Sequence, residues 1–317
     1  MNHTASIIIL NLNGKRFLRD CLDSIERQTY KDFEIIFVDN GSRDDSVDFV
    51  KKNFPEVIII SNKNNLGFAE ANNQGLAVSM GEYIITLNND TRVDEKWLEN
   101  LIKTVQQDKG IGMCASRILS ANNTKQIDSL GVTICMDGMS RGRKRMEIDN
   151  GQYGESEEIL LPSACAALYK RKMIDEIGFF DKDFFAYCED TDLGLRGRLA
   201  GWRAILSSDA IVYHYYSSTG GSYSPLKAYL VERNHFWVVV KNFPMELLIL
   251  FPLFTIYRML LQFFSGLSKK GSSSEFLKQY SLGEAIKIII RAYWDAVKKI
   301  FIFWKKRVII MKNKKIG

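Results

Sequence analysis

The first half of the chain alternates continuous β-branched runs with segments whose apolar residues recur at helical spacing. Ser6-Ile7-Ile8-Ile9-Leu10 predicts a buried strand, and Phe17, Leu18, Cys21, Leu22 and Ile25 predict a helix over 17–28. A strand over 34–38, a helix over 46–53, a strand over 57–60, a helix over 69–80 and a strand over 83–87 follow. Strands recurring about every 25 residues with helices between them predict βαβ units and a mostly parallel sheet. Because these runs do not alternate apolar with polar residues, both faces of the sheet should be covered.

The pattern then loosens. Between 110 and 209 it predicts a strand over 164–169, a short helix over 172–177 and a helix over 193–200 stopped by Gly201. Residues 136–158, rich in Gly, Arg and acids, read as a long loop of the kind that covers a site. After Tyr215, segments 226–240 and 244–264 are strongly apolar and aromatic. The uncharged run Leu247 to Tyr257 is too short to cross a bilayer, whereas a run that tolerates Arg258 extends over 247–267 and is long enough. From Glu284 to Trp304, Lys287, Arg291, Asp295 and Lys298/Lys299 recur every three to four positions opposite Ile, Tyr, Trp and Phe. That describes a helix lying in an interface plane with its cationic stripe toward lipid headgroups, or one packing its apolar face on the α/β domain. The expected organisation is an α/β domain over 1–220 and a helical, apolar and basic, membrane-associating region over 221–317.

Composition narrows the class. An apolar fraction of 46% with 25% charged residues excludes disordered and fibrous chains. The five cysteines are far apart, with no C-x-x-C pair, and read as reduced thiols of a cytosolic protein. The N-terminus enters a strand directly and shows no export signal. The net charge of +6 conceals an asymmetry: from Lys269 onward 13 Lys and Arg face 3 acids, leaving 30 basic against 34 acidic residues before it. A basic tail on an acidic body points to an anionic membrane surface. Nucleic acid is not the expected partner, because Trp294, Phe301, Phe303 and Trp304 cluster with Ile and Val rather than lining a cationic groove.

Several strands stop at polar corners, and in open α/β sheets ligands bind outside the carboxyl ends of strands. Asp39 ends Val38-Asp39-Asn40-Gly41-Ser42, where it either holds ribose hydroxyls or bonds its own turn. Asp90 ends Leu87-Asn88-Asn89-Asp90, as a ligand of a hard divalent cation or as a solvated turn acid. Glu189-Asp190-Thr191-Asp192 opens a helix with more acid than capping requires, beside Phe184, Phe185 and Tyr187, and suits a general base. His214, one of three histidines, follows the strand Ala210 to Tyr213 and is a candidate ligand through a ring nitrogen. Neither G-x-G-x-x-G nor a P-loop pattern occurs after the first strand.

Taken in order, Ser6 to Asn13, Val38 to Ser42, Asn64-Asn65-Leu66-Gly67-Phe68-Ala69, Asn72-Asn73-Gln74-Gly75, Leu87 to Asp90, Gly178-Phe179-Phe180-Asp181, Glu189 to Leu193 and Tyr213-His214 resemble the inverting family 2 glycosyltransferases, in particular their rhamnosyltransferase-like branch. The resemblance covers the first two thirds of the chain. It implies a GT-A fold, a Rossmann-like, mostly parallel sheet flanked by helices, here with a C-terminal helical extension. It implies that Asp39 holds the nucleoside and Asn11 lines the base. Asn72 stands where many relatives carry an arginine near the base. Asn88, Asn89 and Asp90 occupy the D-x-D position, with Asn89 and Asp90 binding the nucleotide-sugar donor and Asp90 and His214 binding Mg²⁺ or Mn²⁺. Asp190 corresponds to the catalytic base and Glu189 to its neighbour at the acceptor. The implied donor is dTDP-L-rhamnose or a UDP-hexose, and the implied acceptor a lipid-linked or cell-surface glycan. The expected location is the cytoplasmic face of the cell membrane, held peripherally or monotopically. The rival expectation is a membrane-surface binding protein that keeps the fold without catalysis.

Overall fold

The computed structural model describes residues 3–215, 224–268 and 271–315. These form two compact units: the first takes 3–133, 141–215 and 314–315, the second 134–140, 224–268 and 271–313. The expected domain boundary at 220/221 lies outside the described residues.

The first unit opens with β1 (Ala5–Asn11), α1 (Lys15–Glu26), β2 (Phe33–Asp39), α2 (Ser46–Asn53), β3 (Ile58–Ser61), α3 (Phe68–Val78) and β4 (Tyr83–Asn88). It continues with β5 (Thr91–Val93), α4 (Trp97–Gln106), β6 (Ile111–Ser120), β7 (Ile127–Ser129), β8 (Val132–Ile134), β9 (Ser140–Gly142) and β10 (Glu157–Ile159). Then come β11 (Ala166–Lys170), α5 (Arg171–Ile177), α6 (Glu189–Leu199) and β12 (Arg203–His214). Strands run in the order β10-β12-β6-β11-β4-β1-β2-β3, with β5 on β12 and β7 on β6. The block β4-β1-β2-β3 is parallel throughout, β6 and β12 are parallel, and β11 enters antiparallel between β4 and β6.

The α/β expectation is borne out, for the reason the strand pattern gave. Ile7 and Ile9 join one apolar cluster with the α1 residues Leu18, Leu22 and Ile25, while Ile8 joins a second with Ala69 and Ala71 of α3. Successive residues of a strand face opposite sides, so a run without polar interruption needs cover on both. At Gly75 of α3 an added Cβ would stand 2.6 Å from Ile8 Cγ2, so the small residue sets how closely that helix approaches the sheet. The region 136–158 is largely irregular, as expected, but contributes β9 and β10. The helix expected over 193–200 begins at Glu189, so the acidic run forms its first turn.

The second unit consists of α7 (Pro225–Asn242), α8 (Met245–Leu267), α9 (Gly271–Leu277), α10 (Leu282–Lys298) and α11 (Ile300–Lys312), together with residues 134–140. Ser224 caps α7, and a Ser281/Glu284 capping box opens α10. The single helix expected over 284–304 is two: Lys299, at φ −98° and ψ 8°, ends α10 and starts α11. Beyond that break Phe303 is fully buried, stacked on Trp237 with ring centroids 4.2 Å apart. One aromatic of the expected lipid-facing stripe is thus core, while Trp294 and Phe301 stay exposed. Arg307 donates to Val240 O at 3.1 Å and Phe243 O at 2.6 Å, satisfying carbonyls at the end of α7.

Among the described residues one helix, Met245–Gly266, is long and apolar enough to cross a membrane. Arg258, the cation within it, is not stranded: the guanidinium donates to both Glu232 oxygens at 2.8 and 2.9 Å and pairs with Asp137.

Candidate active site

Three parallel strands end side by side. Asn11 of β1 is in register with Asp39 of β2, and Leu10 with Asn88 of β4, so Asn11, Asp39 and the Asn88-Asn89-Asp90 corner share one sheet edge. Asn11 is fully buried and ties this edge together. Its Nδ2 donates to Asp39 Oδ1 at 2.9 Å and Ser42 Oγ at 3.0 Å, and its Oδ1 accepts from Asn89 Nδ2 at 2.6 Å. Gly14 gives this contact room, because a Cβ there would stand 1.9 Å from Asn89 Nδ2. Asp39 Oδ2 accepts from Ser42 N at 2.9 Å, so this carboxylate does bond its own turn as well as Asn11. Next to it, Asn40 Nδ2 donates to Asn65 Oδ1 at 2.8 Å and Gly67 O at 3.2 Å.

Asp90 and His214 meet. β5 pairs with β12 so that Thr91 lies opposite His214, which brings the preceding Asp90 alongside the imidazole. His214 Nε2 is 3.3 Å from Asp90 Oδ1, and Tyr215 N donates to Asp90 O at 2.9 Å. The other ring nitrogen, Nδ1, lies 2.7 Å from Asp128 Oδ2. Burial works against a charged imidazole, yet Cys165 and the carboxylates of Asp128 and Asp90 hold its pKa well above the ordinary value. Burial raises the Cys165 thiol in turn, against the pull of His214. Asp128 is the residue that the sequence reading missed: a single acid between Ile127 and Ser129 in a three-residue strand carries no pattern of its own.

Asp190 sits in the first turn of α6, half-buried. Its Oδ2 accepts from Ala164 N at 3.2 Å, and its Oδ1 from Thr191 N at 2.7 Å and Thr191 Oγ1 at 3.2 Å. Burial lifts its carboxyl above the ordinary range although these donors pull the other way. Glu189 is pushed well above its usual value, by burial first and by Asp190 next, and its Oε2 is buried without a hydrogen-bond partner. The approach to this turn is strained: Phe185, Tyr187 and Cys188 all have positive φ, at 67°, 70° and 66°. Phe185 O accepts from Ala69 N at 3.1 Å, fixing the strained loop to the start of α3. Asp192 is set apart, fully buried and bonded to Arg196 Nε at 2.8 Å, which makes it structural.

Two consecutive residues join the halves of the site. Ala164 gives its N–H to Asp190, while Cys165 touches His214 and accepts from Asn88 N at 2.8 Å through its carbonyl. Asp90, His214 and Asp190 therefore line one neighbourhood, with Asn11, Asp39 and Asn89 along the adjoining strand ends. Asn72 is buried on α3 and spends its Nδ2 on Phe68 O, 2.9 Å away in its own helix.

The donor set fits a hard divalent cation. Among the described residues no three His, Cys, Asp or Glu side chains are already arranged around a cation position. What the chain offers is a pair, Asp90 Oδ1 and His214 Nε2, with the imidazole oriented by a carboxylate on its far nitrogen. One carboxylate and one imidazole suffice when phosphate oxygens and water complete the shell. Asn89 commits its Nδ2 to Asn11.

Residues 6–178 match glycosyl transferase family 2, and the chain belongs to that family. Its similarity to the glycosyltransferase GlyG of Streptococcus pneumoniae is 30% identity over 189 residues, 56% of this chain and 60% of GlyG. To the O-antigen biosynthesis protein RfbC of Myxococcus xanthus it is 26% over 226 residues, 68% of this chain and 17% of RfbC. The match thus spans less than two thirds of either relative. Among solved structures, GalNAc-T7 with UDP, GalNAc and Mn²⁺ superposes with a TM-score of 0.62 at 18% identity, covering 75% of this chain and 48% of that one. The GT-A expectation is borne out at the level of fold.

Proposed function

We propose that this chain transfers a sugar from a nucleotide-diphosphate donor to a hydroxyl group of a glycan or lipid-linked acceptor, with inversion at the anomeric carbon. Asp190 accepts the acceptor hydroxyl proton as that oxygen bonds to the anomeric carbon and the bond from that carbon to the diphosphate breaks. A half-buried carboxylate with a raised pKa is a stronger base than a solvated one, and its two backbone donors fix its direction. Asn11 and Asp39 receive the nucleoside at the ends of β1 and β2, with Asn72 on the base side of that edge. Asp90 and His214 face the diphosphate and would hold Mg²⁺ or Mn²⁺. When bound, the ion neutralises charge on the departing diphosphate. Glu189 lies at the acceptor side.

The observation that carries this reading is the Ala164–Cys165 segment, whose Ala164 N–H bonds the candidate base Asp190 and whose Cys165 carbonyl takes the N–H of Asn88, two residues before the candidate metal ligand Asp90. Support for the donor class comes from the GalNAc-T7 complex, which contains UDP and Mn²⁺, and for a cell-surface glycan from RfbC, an O-antigen biosynthesis protein. A dTDP-rhamnose or UDP-hexose donor follows from the motif resemblance.

The second unit supports a place at the cytoplasmic face of the membrane. Ile249, Leu253, Ile256, Tyr257 and Phe264 of α8 are exposed, and so are Ile290, Trp294 and Phe301 near the basic residues of α10 and α11. Exposed apolar side chains with flanking cations favour an anionic lipid surface.

The test is nucleotide release from a panel of UDP-, dTDP- and GDP-sugars, with the product linkage read by NMR. The proposal expects one donor class to turn over and the anomeric configuration to invert. Retention of configuration would overturn the single displacement, and no turnover with any donor and acceptor would favour a binding protein.

A further inference from the structure

We infer that Asp128 is a positioning residue whose carboxylate fixes the His214 imidazole so that Nε2 is presented beside Asp90; this rests on the proposed metal role of Asp90 and His214. The topology makes the arrangement. β6 lies between β7 and β12: Leu119 is opposite Ile127 on one side and Tyr213 on the other, and Ser120 is opposite His214. Asp128 and His214 therefore come from strands that flank the same end of β6, separated by 86 residues in sequence and joined at 2.7 Å.

Chemistry makes it directional. A carboxylate accepts, so the nitrogen at 2.7 Å from it carries the proton, and the ring plane is set by that bond. The remaining nitrogen then points to Asp90 Oδ1, 3.3 Å away. Imidazole ligands are commonly held in this way by a carboxylate on the nitrogen that does not ligate. Asp128 is itself held. Its second oxygen lies 3.7 Å from Arg145 Nε, and Gly142 keeps the strand beside it close, since a Cβ there would stand 2.8 Å from Asp128 O. An ion pair with Arg145 alone does not explain the placement, because Arg145 is the longer and more exposed contact.

Two substitutions separate orientation from charge. Asp128→Asn keeps an acceptor oxygen in place and removes the charge, whereas Asp128→Glu keeps the charge and moves the carboxylate out by one methylene. Mn²⁺ is titrated into the full chain and free ion is followed by electron paramagnetic resonance, with thermal unfolding run on each variant. The expected result is near-normal Mn²⁺ affinity in Asp128→Asn and a loss of about tenfold to a hundredfold in Asp128→Glu. Wild-type affinity in Asp128→Glu, or a tenfold loss in Asp128→Asn, overturns the inference. Asp90→Ala is the separating control. If it binds Mn²⁺ as the wild type does, the metal reading itself fails; if it loses binding while Asp128→Glu does not, only the role of Asp128 fails.

Discussion

Asn89 donates its Nδ2 to Asn11 Oδ1 at 2.6 Å, inside the edge where β1 and β4 end. That bond ties Asn89 to the end of β1, beside Asp90, the acid of its corner. Placing a carboxylate at 89 would therefore not add a useful ligand. Asn89→Asp would set two acceptors against each other in a buried space, an unfavourable pairing costing about 1–3 kcal/mol. Denaturant unfolding checks this: a variant as stable as the wild type with tighter Mn²⁺ binding would contradict it.

The pH dependence follows from Asp190. A base must be ionised, and burial raises its carboxyl above the ordinary 3.8. The sign is then fixed: kcat/KM rises with pH as Asp190 loses its proton, and the acidic limb lies above the range of a solvated aspartate. A rate profile over pH 3.5–8 at saturating metal measures it. A limb at or below 3.8, or a rate that falls as pH rises, would contradict the assignment.

Gly67 couples the two sides of the site. Its φ is +88°, and a Cβ there would stand 2.5 Å from Phe185 O, at the start of the strained loop before Glu189. Gly67→Ala would force an alanine into a backbone region (φ 88°, ψ 168°) open essentially to glycine alone, costing about 1–3 kcal/mol, and displace that loop. The expected outcome is a lower melting temperature and a loss in kcat, with calorimetric nucleotide affinity changing less. A variant with normal kcat would show that the loop tolerates displacement.

The exposed face of α8 gives a prediction about lipid. Ile249 is 72% exposed and Leu253 65%, one turn apart. Changing both to Asp would weaken flotation with vesicles containing anionic lipid by at least tenfold while sparing nucleotide binding. Equal flotation of variant and wild type would contradict a lipid contact through this face.

Much of this was legible in the sequence, unevenly and for physical reasons. β1, β2 and β4 announce themselves because burial on both faces demands unbroken apolar runs such as Ile7-Ile8-Ile9. β5 and β7 do not: each has three residues and gains its place from the strand beside it. Asp39, Asp90, Asp190 and His214 could be singled out because each follows an apolar run or opens a helix. Asp128 could not, since its importance comes from β6 carrying β7 and β12 on opposite sides. The acidic run at 189–192 looked uniform, yet its members divide: Asp192 is locked to Arg196, whereas Asp190 is held by backbone donors in a half-open position. The break at Lys299 was hidden because the apolar run Ile300 to Trp304 follows α10 directly, with no Gly or Pro to mark a stop.

The most direct measurement compares Asp190→Asn with Asp90→Ala in two assays on the same donor, nucleotide release and calorimetric binding of the nucleotide with Mn²⁺. Asp190→Asn is expected to lose about 10²–10⁴-fold in turnover with binding retained. Asp90→Ala is expected to lose the metal-dependent part of the binding as well. Turnover near wild type in Asp190→Asn, or identical metal-dependent affinity in Asp90→Ala, would contradict a single pocket that combines base and cation.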